Sequence, residues 1–282
     1  MTTMNGMLPQ QTTAAPLRRA ARNLYGSLKI LLRPTRRHAK AWPLPWQRLA
    51  IAAAVSLAIF IFGMLFVDAA AIRGVSHVPR WLIDFFDAIT DYGKSGWFLW
   101  PLGILFLALA ALPNGLTRIS QRVLAAAMVR IGFLFWAIAL PGIFTNIVKH
   151  IFGRARPGVG GSIDPTLFAP FSWPAVYASL PSGHATTALS VLVAFGTLFP
   201  RARTALLIYA GLILLSRVAV TAHYPTDVLT GALVGAVGAM MVRRYFALRG
   251  LVFSIRADGT IRQFPGPSRK RLKAVARELL AE

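Results

Sequence analysis

Residues 49–67 read LAIAAAVSLAIFIFGMLFV, nineteen consecutive positions without a charge. As a helix rising about 1.5 Å per residue, this run is roughly 28 Å long, close to the thickness of a bilayer's hydrocarbon core. Outward along the chain, further apolar runs follow at about 97–112, 131–148, 185–199, 204–221 and 228–242. The chain of 282 residues is 56% hydrophobic and only 14% charged, against roughly 25% charged in soluble domains. Its mean hydropathy is +0.57. These features predict an all-α polytopic membrane protein with six transmembrane helices in a bundle. Pro141 and Gly142 predict a bend in the third span. Arg130, just before that span, reads as an anchor with its head in the interface.

The net charge of +22 arises from 31 basic against 9 acidic residues. Nine of the bases precede residue 49 with no acid among them, and ten more follow residue 242. Basic ends flanking apolar spans fit membrane orientation and anionic headgroups better than nucleic acid. With no cysteine, disulfides, thiol chemistry, iron–sulfur clusters and thiolate zinc sites are excluded. The first apolar run starts near Leu49, so no cleavable signal peptide is expected.

Three regions are expected. Residues 1–48 form a basic cytoplasmic arm, disordered over the first dozen positions, and 49–242 form the six-helix domain. Residues 243–282 form a basic cytoplasmic tail with a hairpin at Asp258-Gly259 and a short helix capped by Ser268. Between the first two spans, PRWLIDFFDAITDYG (79–93) gathers Leu82, Ile83, Phe85, Phe86 and Ile89 on one helical face, with Asp84, Asp87 and Asp91 toward the other. This predicts an amphipathic helix, lying in the interface or packed as a loop helix. An even number of spans puts both basic ends on one side, which the positive-inside rule makes cytoplasmic.

By that parity three polar segments share the opposite face. They are KHIFGRARP (149–157), PSGH (181–184) and SRVAVTAHYPTD (216–227). Lys149, Arg156 and Arg217 suit a multiply charged anion, because guanidinium forks match phosphate oxygens. Ser182 and Gly183 precede a helix, where a hydroxyl and free N–H groups cradle an anion; alternatively the stretch is a plain helix-start turn. His184 and His223 can divide nucleophile and general-acid duties near neutral pH. Asp227, four residues after His223, can fix that imidazole's tautomer or merely cap the sixth helix. Taken singly, a cation at a helix end is an ordinary anchor. A transporter would instead set such groups near the bilayer midplane.

The pattern Lys-x6-Arg-Pro, then Pro-Ser-Gly-His, then Ser-Arg-x5-His-x3-Asp resembles the tripartite signature of the type 2 phosphatidic acid phosphatase superfamily, matched at every signature position. The resemblance covers roughly residues 49–242. It implies that His223 attacks phosphorus to form a phosphohistidine and that His184 protonates the leaving oxygen and then activates water. It implies further that Asp227 orients His223, while Lys149, Arg156, Ser182, Gly183 and Arg217 hold the phosphoryl oxygens. No metal and no cofactor is implied. Soluble vanadate-dependent haloperoxidases share the signature, but the apolar spans point to the membrane branch.

The expected substrate is a membrane lipid phosphate or diphosphate: phosphatidic acid, phosphatidylglycerol phosphate, undecaprenyl diphosphate or the phosphate of lipid A. Phe168, Phe171, Trp173 and Tyr177 between the motifs suit a membrane interface, as a lip over the headgroup or as anchors. The expected setting is a plasma membrane of the bacterial inner-membrane type, with the site facing the periplasm and both termini cytoplasmic.

Overall fold

The computed structural model describes residues 45–112 and 116–280, together with 18, 21, 25, 26, 29 and 32–35. The expected basic arm 1–48 lies mostly outside these. Helix α1 (Trp46–Phe62) passes through a π-helical turn, Gly63–Val67, into α2 (Asp68–Gly74). Helix α1 buries none of its residues, as suits a rod facing lipid, whereas Asp68 beyond the π turn is fully buried. Then come α3 (Arg80–Thr90), α4 (Gly96–Ala111), α5 (Arg118–Phe152), α6 (Gly183–Leu198), α7 (Arg203–Ala219) and α8 (Pro225–Leu248). A hairpin, β1 (Phe253–Ile255) and β2 (Ile261–Gln263), precedes α9 (Arg269–Leu280).

Among the described residues, five helical segments are long and apolar enough to cross a membrane: Trp46–His77, Arg80–Ala111, Arg118–Phe152, Pro200–Ala219 and Pro225–Leu248. The expected fourth span is α6, with only 16 residues. It is surrounded by α5, α7 and α8, so its neighbours, more than lipid, decide its length. Its buried face carries Thr186, Thr187 and Ser190, each of which needs a partner away from water. Thr186 meets Thr145 of α5 hydroxyl to hydroxyl at 3.0 Å, and Ser190 donates to the Gly235 carbonyl of α8 at 3.2 Å. Helix α8 comes this close because a Cβ at Gly231 would fall 2.3 Å from the Ser182 carbonyl oxygen.

The apolar core lies further along the bundle, where Phe133, Ile138, Val191 and Phe246 pack with Phe253. Phe133 meets Phe246 and Phe253 edge-on, with centroids 5.5 and 4.9 Å away. The hairpin is therefore part of the core, and α8 continues six residues past the expected boundary at Val242. Its turn is built as expected: Asp258 Oδ1 accepts from the Thr260 N–H at 2.8 Å, and Gly259 has φ +81°. Ser268 accepts from the Arg271 N–H at 3.3 Å to cap α9. Arg130 is not a free interfacial anchor. Its Nη2 donates to the carbonyls of Phe264 and Pro265 at 3.0 and 2.9 Å, clamping the tail to α5.

Candidate active site

Four helix ends meet at one end of the bundle: α5 stops at Phe152, α6 starts at Gly183, α7 stops at Ala219 and α8 starts at Pro225. The three motifs occupy these ends, so antiparallel packing gathers them. Lys149 sits in the last turn of α5, which Gly153 closes by donating to the Lys149 carbonyl at 3.0 Å. Gly153 has φ +62°, and a Cβ there would lie 1.7 Å from the Ala169 carbonyl oxygen, so glycine alone fits this cap. Beyond it Arg154 is wholly buried and Arg156 half-buried, the latter donating its N–H to the Val176 carbonyl at 2.8 Å.

Ser182 caps the start of α6 from a fully buried position, and its N–H donates to the Asp227 carbonyl at 3.0 Å. Its hydroxyl makes no protein hydrogen bond, and the same holds for the buried Arg156 Nε, Arg217 Nε and His184 Nε2. Buried polar atoms are seldom left unpaired. Here four of them stand on the residues expected to handle a phosphoryl group, beside the first-turn N–H groups of α6. Arg217 Nη1 donates to the Thr90 hydroxyl, which also accepts from Ser216 Oγ at 3.0 Å. The end of α3 is thus packed against α7, not laid free in the interface. Gly93, in the turn after α3, presses on the general-acid candidate: a Cβ there would sit 2.8 Å from His184 Cδ2.

His223 lies between α7 and α8 with its ring buried. Its backbone N–H donates to the Arg217 carbonyl at 3.2 Å, and its Nδ1 lies 2.8 Å from the Ser179 carbonyl oxygen. A carbonyl only accepts, so Nδ1 carries the proton and Nε2 keeps its lone pair. Burial, followed by the positive charges of Arg217, Arg156 and His184, holds this imidazole well below its ordinary value, against an upward pull from the Ser179 carbonyl. The ring is neutral and available as a nucleophile at neutral pH.

The expected direct bond from Asp227 to His223 is not made, since Oδ2 stands 3.9 Å from Nδ1. Asp227 acts one step back: Oδ2 accepts from Ser179 Oγ at 2.6 Å and from the Tyr224 N–H at 3.0 Å. It both caps α8 and fixes the residue that holds the imidazole. Its other oxygen is bonded to Arg154, which in turn meets Asp68. Sequence reasoning missed Asp68, Arg154, Ser179 and Thr90. Asp68 carried a signal, as an acid closing a long apolar run. Of the four aromatics between the motifs, Phe171 and Trp173 are exposed, Trp173 stacking on His150 with centroids 5.1 Å apart, while Phe168 and Tyr177 are half-buried. Among the described residues no group of three or more His, Asp or Glu could hold a metal ion.

Residues 130–250 match the profile of the PAP2 superfamily. A lipid A 1-phosphatase of Rhizobium johnstonii is 34% identical over 218 residues, covering 77% of this chain and 87% of the relative. Another of that name, from Rhizobium etli, is 33% identical over 77% of this chain and 92% of its own length. Among solved structures, LpxE of Aquifex aeolicus aligns with a TM-score of 0.46 at 22% identity, covering 64% of this chain and 96% of that one.

Proposed function

The chain belongs to the PAP2 superfamily and is a multi-pass membrane lipid phosphatase, and we propose that it removes the 1-phosphate of lipid A through a phosphohistidine on His223, at the periplasmic face. The observation behind the mechanism is the commitment of His223 Nδ1 to the Ser179 carbonyl, beside buried donors on Ser182, Arg156 and Arg217 that have no protein partner. The Nε2 lone pair attacks phosphorus and the phosphorus–oxygen bond to the lipid breaks. His184 delivers a proton to the departing oxygen. Lys149, Arg156, Arg217, Ser182 Oγ and the N–H groups at Gly183 hold the phosphoryl oxygens as their charge redistributes. Water then attacks phosphorus, His184 takes its proton, and the phosphorus–nitrogen bond breaks to release phosphate and neutral His223. Three cations and a helix N-terminus supply the neutralising charge, so the reaction proceeds without a divalent metal or other cofactor. The choice of lipid A rests on the 34% identical relative. Anionic lipids are the expected partners of the basic termini.

The test is phosphate release by the purified protein from lipid A, phosphatidic acid, phosphatidylglycerol phosphate and undecaprenyl diphosphate, with the site of loss read by mass spectrometry. Preferred loss of the lipid A 1-phosphate, unaffected by EDTA and inhibited by vanadate, is expected. Preference for another lipid rejects the substrate, and a loss on chelation restored by magnesium rejects the mechanism. His223→Ala should form no phosphoenzyme, whereas His184→Ala should slow turnover by roughly 10² to 10⁴ and less so for a nitrophenyl phosphate. Label retained on His223→Ala reverses the two roles.

A further inference from the structure

Arg154 stands two residues before Arg156 yet takes no part in the phosphate cradle. Its side chain and those of Asp68 and Asp227 are all fully buried. Its Nη1 donates to Asp227 Oδ1 at 2.6 Å and to Thr226 Oγ1 at 2.8 Å, its Nη2 to Asp68 Oδ2 at 2.7 Å, and its Nε to the Pro165 carbonyl at 2.9 Å. The guanidinium also lies over the Tyr224 ring, 4.7 Å from the centroid. Asp68 in turn accepts from the Thr226 N–H at 3.0 Å, at the start of α8.

We infer that Arg154 is a positioning residue for the nucleophile, holding His223 through Ser179. It grips Ser179 from two sides. The Arg154 carbonyl accepts the Ser179 N–H at 3.1 Å, and its guanidinium fixes Asp227, whose other oxygen accepts Ser179 Oγ at 2.6 Å. With both ends fixed, the Ser179 carbonyl is aimed at His223 Nδ1 at 2.8 Å. A planar fork spans two carboxylates in fixed directions, which a lysine ammonium cannot do. One guanidinium between two carboxylates leaves a net negative charge behind the imidazole, and that charge stabilises the Nδ1–H when Nε2 bears the phosphoryl group. Asp68 completes the arrangement from the start of α2, so a residue 86 positions before Arg154 helps to aim the ring. This inference rests on His223 being the nucleophile.

The test compares full-length wild type with Arg154→Lys, Asp68→Asn and the double variant Arg154→Met with Asp68→Asn, the last restoring the net charge without the fork. Thermal unfolding, KM, the single-turnover rate of His223 phosphorylation with lipid A, and the His223 tautomer by imidazole nitrogen NMR are measured for each. Arg154→Lys should fold, keep its KM, lose the single Nδ1–H tautomer and phosphorylate about 10²-fold more slowly, as expected for a displaced reacting group. If it does not fold, the smaller change in Asp68→Asn carries the comparison. The double variant should regain stability but not rate. Wild-type tautomer and rate in the single variants, or full recovery of rate in the double, overturns the inference. Absence of phosphohistidine in the wild type rejects the nucleophile reading by itself, and the tautomer still decides what Arg154 does.

Discussion

At the scale of single residues, the proposed chemistry asks His223 to keep a proton on Nδ1 and none on Nε2. The buried site with its cations depresses the pKa of this imidazole, while the unfolded chain titrates near 6.5. Below that pH the unfolded state binds a proton that the folded state refuses, so stability is full above pH 6.5 and is lost as pH falls toward the folded value. Imidazole nitrogen NMR on the free enzyme should show a neutral His223 at pH 6, and the unfolding temperature should drop between pH 6.5 and 5. A ring already protonated at pH 6 would contradict the geometry. The residues proposed for the phosphate cradle were legible in the sequence because three polar segments with a shared signature spacing stand together between apolar runs, although each alone reads as an anchor or a helix-start turn. Asp68, Arg154 and Ser179 were not, because their meaning lies in pairs. Arg154 alone is another cation in a basic motif, and Asp68 alone is an acid closing an apolar run, until the fold brings them into contact.

Among the elements, the run from α3 to Gly93 shows what periodicity reveals and what it leaves out. Leu82, Ile83, Phe86 and Ile89 are half-buried while Asp84 and Asp87 face outward, but Phe85, expected on the apolar face, is exposed, so the amphipathic pattern holds for four of its five apolar positions. The pattern specifies a face but no partner, and the partner here is α7 beside the site. Gly93 consequently abuts both His184 and Ile213 of α7, each atom 2.8 Å from where a Cβ would stand. Gly93→Ala should therefore displace the His184 ring, lowering kcat by about 10²-fold at a stability cost of about 1–3 kcal/mol. Kinetics and thermal unfolding of the purified variant check both values, and unchanged kcat would show that the turn does not position His184. The same contrast holds at the other end of the bundle. The Asp258-Gly259 turn was visible in the sequence, but the packing of Phe253 on Phe133 depends on α5, far away in the chain.

For the molecule as a whole, the site's position at one end of the bundle makes orientation testable. Reporter fusions after residue 165 should report the periplasm and fusions after residue 282 the cytoplasm; both on one side would break the proposed topology. A last consequence follows from the 16 residues of α6 and the Thr186, Thr187 and Ser190 on its inner face. Though apolar, a segment of 16 residues is short of the roughly 20 that a span usually needs, so it is expected to insert as a hairpin with α7. The 3₁₀ turn Pro200–Ala202 joins α6 to α7, and the Thr186 and Ser190 hydroxyls meet partners on α5 and α8. The helix that carries Ser182 and His184 therefore relies on the later-synthesised α7 and α8 as well as on α5 for its packing, so the candidate site is expected to be complete only once the last span is in place.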